Sequence, residues 1–517
     1  MSSSQATNGT LSPLFLDAPD SELRRFLDEV HSLADRVPEL VALVDADLDA
    51  HGKAKKALRL DDEDWARRRT MALPGFDADD EAEVVRREPA TLALGAGRPR
   101  TPARVVLVAV MLRGYLGAGF KACDVSTLMQ ESRTVFVFFE TLGMKMPAGS
   151  TLTELANAVT NPTRERILDA QIARVAELEW DTFSTLLQDS THVEGNTAWP
   201  TDSRTIVALV ERVLHLGAKL PQLALAELVS ASAEAHLRAM ARLAREIDLA
   251  PKTAARPLVL RRLYGKLLWR ARRVRTILYD AVTRVEVTLA RLEVAPSRKD
   301  MASRATGRLR RDVEALGTAI AQCEARVVRE EKLPVGDKVL SISDPDAGFI
   351  AKGQRLPVIG YKPQVARSAG GFVTGLLLPP GNAADSAQLV PMLDQVARRT
   401  STTPKVVSVD DGYASKANVV ALRAKGIEVV SIHGAKGRAL TTDADWSRNE
   451  YQEARALRSA VESLIFTLKQ GFSFGYVARR GLEHAYGELL EKAIAYNFCR
   501  MAHRRTVVPN REPALAA

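Results

Sequence analysis

The final third of the chain alternates short apolar runs with amphipathic stretches, and this alternation constrains the fold more than any other feature. Polar residues 367–370 separate two apolar runs as in a β-hairpin, and helical patterns then alternate with further runs. A hairpin followed by alternating helices and strands predicts an α/β fold, with a mixed sheet flanked by helices. The predicted strands are 181–189, 338–342, 358–366, 371–378, 405–409 and 427–432, and the predicted helices are 384–398, 415–425 and 448–469.

Composition excludes several classes of protein. Hydrophobic residues make up 46% of the 517 and charged residues 26%, as in ordinary globular proteins rather than disordered ones. The longest apolar run, 105–112, is shorter than the roughly 20 residues that span a bilayer, so we expect no membrane segment. The first ten residues lack a signal-peptide pattern, and the cysteines (Cys123, Cys323 and Cys499) are far apart. We therefore predict a reducing, cytoplasmic location.

Two basic segments are candidates for binding a polyanion, in keeping with a net charge of +9. The first is the linker 95–102, in which Arg98 and Arg100 alternate with Gly and Pro, as in arms that enter the DNA minor groove. The second is 256–275, a basic amphipathic helix whose cations include Arg270 and Arg273. Each segment also has a plainer interpretation, as a basic linker and as a solvated helix face.

Candidate catalytic carboxylates stand where predicted strands end. Asp189 closes one strand, and the adjacent pair Asp410 and Asp411 closes another. Side chains alternate along a strand, so only one member of the pair can face a given site without distortion. Burying an isolated carboxylate on an apolar strand is costly, which favours a metal or cationic partner. Capping or salt bridging explains any single acid equally well.

A predicted helix supplies a third acid. Arg458, Glu462 and Lys469 are separated by four and then seven positions, so they fall within about 40° on one helical face. Metal-dependent phosphoryl transfer needs carboxylates to ligate divalent cations and basic groups to bind phosphate, and this face offers both. Two Mg²⁺ ions commonly require three carboxylates among their oxygen ligands. A structural row of salt bridges has the same spacing.

Taken in order, these motifs resemble the DDE transposases of bacterial insertion sequences. The matching segments, within about 181–505, are DST.VEGN around Asp189, IGYKPQVA, GNAADS, DDGYAS and RSAVESLIFTLKQG. The resemblance implies an RNase H-like catalytic domain with a five-stranded mixed sheet. It also implies that Asp189, Asp410 (the aspartate of Asp-x-Gly-Tyr) and Glu462 are the catalytic residues and the metal ligands. One departure is Arg455, which stands where the family's helix signature has tyrosine.

The resemblance further implies an activity and its partners. Such enzymes bind element ends, cleave phosphodiester bonds and join the 3′-OH to target DNA, using Mg²⁺, for which Mn²⁺ substitutes. The implied partners are double-stranded DNA and a second copy of the chain in a homodimer on DNA, at the nucleoid and without a membrane. A metal-dependent nuclease without strand transfer and an inert DNA-binding protein are the alternatives. The residues expected to bind DNA are Arg458, Lys469, Arg98, Arg100, Arg270 and Arg273.

The length of the chain and these motifs together predict several domains. The large helical segment after the first catalytic strand is read as an insertion that grips DNA or a second subunit. The GNAADS segment is expected to form a loop in which Asn382 and Asp385 shape the turn and cap the next helix. The predicted domains are a helical N-terminal region (1–94), a basic linker (95–102), a helical DNA-binding domain (103–180), the catalytic domain (181–204 and 334–505), an Arg-rich helical insertion (205–333) and a tail (506–517).

Overall fold

The computed structural model describes residues 21–71, 100–117, 122–144, 147–197, 201–223, 225, 231–332, 341, 344, 346–350 and 357–507. Arg98 and most of the predicted strand 338–342 lie outside this part of the chain. The helices are α1 Glu22–Arg36, α2 Pro38–Met71, α3 Ala103–Leu116, α4 Ala122–Glu131, α5 Arg133–Thr141, α6 Gly149–Ala158, α7 Asn161–Glu177, α8 Asp202–Gly217, α9 Ala231–Asp248, α10 Arg256–Ala290, α11 Pro296–Cys323, α12 Leu389–Thr400, α13 Lys416–Ala424, α14 Ala435–Leu440, α15 Asp443–Trp446, α16 Asn449–Ala456, α17 Arg458–Gly471 and α18 Leu482–Val507. The strands are β1 Thr185–Ser190, β2 Val193–Gly195, β3 Gly348–Ile350, β4 Val358–Tyr361, β5 Gln364–Arg367, β6 Val373–Leu377, β7 Val406–Asp410, β8 Val429–His433 and β9 Tyr476–Val477.

A five-stranded mixed sheet is the centre of the first of two compact units, which contains the described residues within 21–50, 100–196 and 350–507. Its strand order is β6-β5-β1-β7-β8. β5 is antiparallel to both β6 and β1, whereas β7 is parallel to both β1 and β8. The predicted hairpin and the predicted α/β fold, a mixed five-stranded sheet flanked by helices as in RNase H-like domains, are therefore confirmed.

Two predicted elements are each divided in the structure. Residues 358–366 form two strands, because Lys362 and Pro363 separate β4 from β5, and proline has no N–H to offer a strand partner. The β4 strand joins a second sheet with the order β3-β4-β2-β9, while β5 joins the main one. The predicted helix 448–469 is interrupted at Leu457, between α16 and α17. The new helix α17 starts at Arg458, and this start fixes the direction of the Arg458 side chain.

A buried charged cluster fastens the C-terminal helix α18 to α3 and α7. The Glu491 carboxylate accepts hydrogen bonds from Arg113 at 2.8 and 3.0 Å and from Arg164 at 2.8 Å, and it pairs with Arg479. Burial alone would raise the pKa of Glu491, but the three guanidinium groups outweigh it and hold that pKa well below its usual range. The helical segment 103–177 is thus tied into the unit that contains the sheet.

The second unit contains the described residues within 51–71 and 197–349 and has an apolar core of its own. Helices α8 to α11 surround this core, in which Leu267, Leu278 and Leu316 are fully buried. Cys323 lies in the same core, and burial raises the pKa of its thiol to about 12. None of the helices in the described ranges has an apolar stretch of the length and hydropathy that a membrane span requires.

Candidate active site

The first two candidate acids end neighbouring strands of the main sheet. β1 and β7 are parallel, with Leu187 opposite Ser408. Asp189 and Asp410 each lie two residues further along, so they emerge at the same edge and on the same face of the sheet. Asp189 is only 5% exposed, whereas Asp410 is partly exposed. The strands therefore place two carboxylates side by side without any help from a loop.

The third acid comes from α17, which packs against β1, β5 and β7. Its apolar face buries Val461, Leu464 and Leu468. Glu462 lies beside this face, and its side chain is 63% exposed. The helix thus brings Glu462 to the edge of the sheet where the two aspartates end.

Arg458 lies among all three acids. Its Nη2 is 3.0 Å from Oδ2 of Asp189 and 3.8 Å from Oδ2 of Asp410, and its Nη1 is 3.1 Å from Oε1 of Glu462. The three acids named from the sequence are therefore brought together around one guanidinium group. The geometry of the strands and the helix alone brings these acids together, although Asp189 and Glu462 are 273 positions apart in the sequence.

Backbone amides orient both aspartates toward that guanidinium. Oδ1 of Asp189 accepts a hydrogen bond from the N–H of Ser190 at 2.7 Å. Oδ1 of Asp410 accepts one from the N–H of Gly412 at 2.9 Å. In each residue the other oxygen, Oδ2, is the one that faces Arg458. Each carboxylate is therefore held by one oxygen and presents the other to a shared cation.

Arg458, which the sequence predicts to bind DNA, is buried in the structure. The residue is 8% exposed. Its angular position on α17 falls between the apolar face and Glu462, so the side chain turns inward while Glu462 and Lys469 turn outward. Lys469 is partly exposed about two turns beyond Glu462. The expected basic stripe is thus divided into a buried arginine and a partly exposed lysine.

Asp411 serves a different part of the fold from Asp410. Its carboxylate accepts hydrogen bonds from the N–H groups of Gly437 at 2.8 Å and Lys436 at 3.2 Å, in the first turn of α14. Gly434 lies so close that a Cβ there would come within 2.3 Å of Cγ of Asp411. Asp411, in the short turn that follows β7, therefore holds the start of α14, whereas Asp410 faces the guanidinium group of Arg458.

A polar network that the sequence did not reveal lies next to the aspartates and involves Lys362, Gln364, Asp385 and Tyr413. Lys362 pairs with Asp385 at 2.9 Å, and Gln364 donates to the same carboxylate at 2.8 Å. The hydroxyl of Tyr413 donates to Gln364. Asp385 therefore binds a lysine and a glutamine rather than capping a helix. Two features of the sequence could have indicated this network. One is Lys362 between β4 and Pro363, and the other is Tyr413, the tyrosine of DDGY.

The same network places a fourth carboxylate, that of Asp385, close to Asp410. Gly412 separates Asp385 from Asp410, because a Cβ at Gly412 would lie 3.0 Å from Oδ1 of Asp410 and 3.2 Å from Oδ2 of Asp385. Burial, followed by the charges of Asp385, Asp189 and Asp410, raises the pKa of Tyr413 well above its ordinary value. Tyr413 therefore remains a neutral hydrogen-bond donor under the site.

The acids have the donor chemistry of a divalent-cation site but not its spacing. Carboxylate oxygens are the ligands that Mg²⁺ prefers, and three of them point at one position. Within the described ranges, however, no three acidic, histidine or cysteine side chains are close enough together to hold a metal ion. Arg458 is the group that occupies the space between the acids.

The other residues expected to bind DNA are dispersed. Arg100 is held by Asp45 and Asp49 of α2, so its guanidinium group is engaged within the fold. Arg270 and Arg273 lie on α10, in the second unit. Arg270 is half-buried, with its guanidinium carbon 5.7 Å from the centre of the Trp269 ring and its Nη1 3.4 Å from Nδ1 of His236.

Arg273 belongs to an exposed row that we call the α10 stripe, formed by Arg262, Lys266, Trp269 and Arg273. The spacing of four, three and four residues puts them on one side of the helix. Trp269 is 57% exposed. Among the described residues, no carboxylate forms an ion pair with the three cations of the stripe. The stripe is therefore an accessible basic surface with an indole in its middle.

Comparison with known proteins agrees with this geometry. Residues 337–498 match the family model of the transposase DDE domain. A curated relative, the transposase for insertion sequence element IS1106 of Neisseria meningitidis serogroup B, is 25% identical over 193 residues. The alignment covers 37% of this chain and 64% of the relative, so the chain spans less than two thirds of that protein. No solved structure matches the chain significantly.

These matches confirm the resemblance to the DDE-type transposases of insertion sequences. The matched range includes Asp410 and Glu462, whereas Asp189 precedes it. Asp189 is therefore a candidate because of its place at the end of β1 and its contact with Arg458, and not because of the family match.

Proposed function

We propose that this chain is a transposase that binds the ends of its own element, cleaves phosphodiester bonds and joins the freed 3′-OH to target DNA. The observation that carries the proposal is that Asp189, Asp410 and Glu462 converge on one guanidinium group. They do so where two parallel strands of a five-stranded mixed sheet end. Acids on two parallel strand ends and on a crossing helix form a single open-sided cluster. The match to the transposase DDE domain supports the same conclusion.

Asp189, Asp410 and Glu462 are the proposed ligands of Mg²⁺, for which Mn²⁺ would substitute. Bound divalent metal supplies polarisation of the attacking water or 3′-OH and stabilises charge on the leaving oxygen. The protein's own contribution is positional: amide hydrogen bonds fix Oδ1 of both aspartates, and α17 presents Glu462 on the open side. No side-chain nucleophile is required.

Phosphate binding is assigned to cations around and beyond the acids. Lys469 lies on the same helix as Glu462 and is partly exposed, which suits contact with the DNA backbone next to the cleaved bond. The α10 stripe, which includes Arg273, and the neighbouring half-buried Arg270 form a second basic surface for DNA. The reaction acts on double-stranded DNA, and we propose that a homodimer carries it out in the cytoplasm, at the nucleoid.

An end-processing assay tests the proposal. A linear DNA that carries the sequences flanking the coding region is incubated with a target plasmid and Mg²⁺ or Mn²⁺, and both cleaved and joined products are measured. We expect the wild type to yield both. Glu462→Gln should lower cleavage by at least about a hundredfold, because it removes a charged metal ligand.

Glu453→Gln is the matched control, since Glu453 is an exposed glutamate on the preceding helix. It should change cleavage by less than about twofold, as surface substitutions usually do. Cleavage without joining would identify a nuclease of the same fold. A wild type that leaves the DNA as uncut as Glu462→Gln does would contradict the proposal and favour the inert DNA-binding alternative.

A further inference from the structure

Arg458 is bonded differently from the other buried arginines of its unit. Arg113 donates two aligned hydrogen bonds to Glu491, at 2.8 and 3.0 Å. Arg399 donates to Asp169 at 2.7 Å and to the carbonyl of Thr374 at 2.8 Å. In Arg458, only Nη2 makes an aligned hydrogen bond, to Asp189. Nε and Nη1 are buried without an aligned acceptor among the described residues, although Nη1 lies 3.1 Å from Glu462.

This difference matters because a buried guanidinium that serves only the fold normally satisfies its donors. Arg113 and Arg399 are bound in that way. Arg458 instead supplies a positive charge next to three carboxylates. It makes few of the directed hydrogen bonds that would fix its guanidinium group in place. Electrostatic attraction, rather than hydrogen-bond geometry, is therefore what keeps it among the acids.

We propose that Arg458 is an exchangeable counter-ion of the acid triad. It neutralises Asp189, Asp410 and Glu462 when they do not ligate metal, and it must leave them before they can ligate a divalent cation. The inference rests on the proposed function of these acids. It also explains why the three carboxylates share one direction but lie too far apart to form a metal-ligand set.

The site is open to solvent on the side of Glu462 and Asp410, so the Arg458 side chain can move out in that direction. Glu462 is largely exposed and Asp410 partly so, whereas Asp189 is enclosed. A guanidinium that leaves the acids by this side emerges on the surface that carries Glu462, where a DNA backbone would accept it. Release of Arg458 by the acids would then supply a cation for phosphate, and one residue would serve both partners in turn.

Binding of Mn²⁺ to the full chain, without DNA, tests the counter-ion role by calorimetry. Arg458→Gln removes the competing charge, so we expect Mn²⁺ to bind on the order of tenfold more tightly than to the wild type. Arg458→Lys keeps a charge but loses the fork that reaches several carboxylates, and about threefold tighter binding is expected. Lys469→Gln removes one charge from the same side of the same helix and should change the affinity by less than about twofold.

Thermal unfolding gives a second readout. Without Mn²⁺, Arg458→Gln should unfold at a lower temperature than the wild type, because buried Asp189 loses its ion pair with Arg458. Saturating Mn²⁺ should raise the unfolding temperature of Arg458→Gln more than that of the wild type. If the Gln variant cannot be purified, the Lys variant must show both effects in smaller measure.

Two outcomes would overturn the inference. One is Mn²⁺ binding to both Arg458 variants that equals or falls below that of the wild type, which would make Arg458 a support for the ligands. The other is a loss of stability that Mn²⁺ does not reverse. Neither readout uses DNA, so the inference survives if the chain proves unable to cut DNA. The proposed function likewise survives if the metal affinities do not change.

Discussion

At the scale of single residues, Asp410 and Asp411 show how one step along a strand separates two roles. Asp410 faces Arg458, and Asp411 accepts the first amides of α14. Alternation along the strand already predicts that only one of the pair enters the site, and the Asp-x-Gly-Tyr pattern selects Asp410. What the sequence does not contain is the partner of the other one, since α14 begins more than twenty residues later.

Substituting these two aspartates in turn tests the assignment. We expect Asp410→Asn to reduce cleavage of end-containing DNA by about a hundredfold or more, because a neutral amide is a poor Mg²⁺ ligand. Asp411→Asn keeps an acceptor for the α14 amides, so cleavage should stay within about threefold, with a stability loss near 1 kcal/mol. Cleavage rates and urea unfolding measure the two effects. The opposite pattern of rates would mean that Asp411 is the residue in the site.

Glu491 provides a second prediction at this scale. Its folded pKa is depressed below the ordinary value of 4.5, so its stabilising effect is present above that value and is lost as the pH falls toward the folded pKa. Glu491→Gln removes the negative charge shared by the buried Arg113 and Arg164 and the partly exposed Arg479, and it should cost about 3 kcal/mol at pH 7. Denaturant unfolding at pH 7 and again below pH 4.5 should show that difference shrinking in acid. If the difference in unfolding free energy between the wild type and Glu491→Gln did not change with pH, the ionised form of Glu491 would not be the stabilising one.

At the scale of elements, α17 explains both a success and a failure of sequence reasoning. The helical period correctly places Arg458, Glu462 and Lys469 within a narrow angle. It cannot say where the boundary of the buried face falls, because that depends on which strands the helix crosses. Val461, Leu464 and Leu468 set the boundary close to Arg458, so the arginine is buried and Glu462, only about 40° away, is exposed.

The α10 stripe gives a prediction for a whole element. Replacing Arg262, Lys266 and Arg273 together by glutamine should weaken DNA binding and reduce the slope of log affinity against log salt by about 2 to 3, close to one per cation. Fluorescence anisotropy over a salt series measures that slope. The control triple Lys299, Arg308 and Arg311 removes equal exposed charge from α11. An equal loss of slope in both triples would mean that the stripe is not a specific DNA-binding surface.

At the scale of the whole molecule, local signals recover the main sheet but not what connects distant segments. The periodicity of apolar residues indicates the hairpin and the strands that follow it, and the predicted mixed five-stranded sheet is confirmed. The transfer of the chain from one sheet to another at Lys362 and Pro363 looks like one continuous strand in sequence. The contacts of Glu491 with Arg113 and Arg164 join residues more than three hundred positions apart, and no local pattern carries that information.

The last prediction concerns the number of chains that act together. The part of the chain that the structure describes contains one Asp189, Asp410 and Glu462 cluster around one Arg458, whereas the proposed reaction processes two element ends. Two chains, one for each end, are the simplest assembly that supplies a cluster to both. Light scattering of the complex with end DNA should therefore give two chains for two ends. In equimolar mixtures of wild type and Glu462→Gln, about half of the complexes should cut only one end, as random pairing of the two chains requires. Complexes in which a single chain cuts both ends would contradict the dimer and require one cluster to act twice.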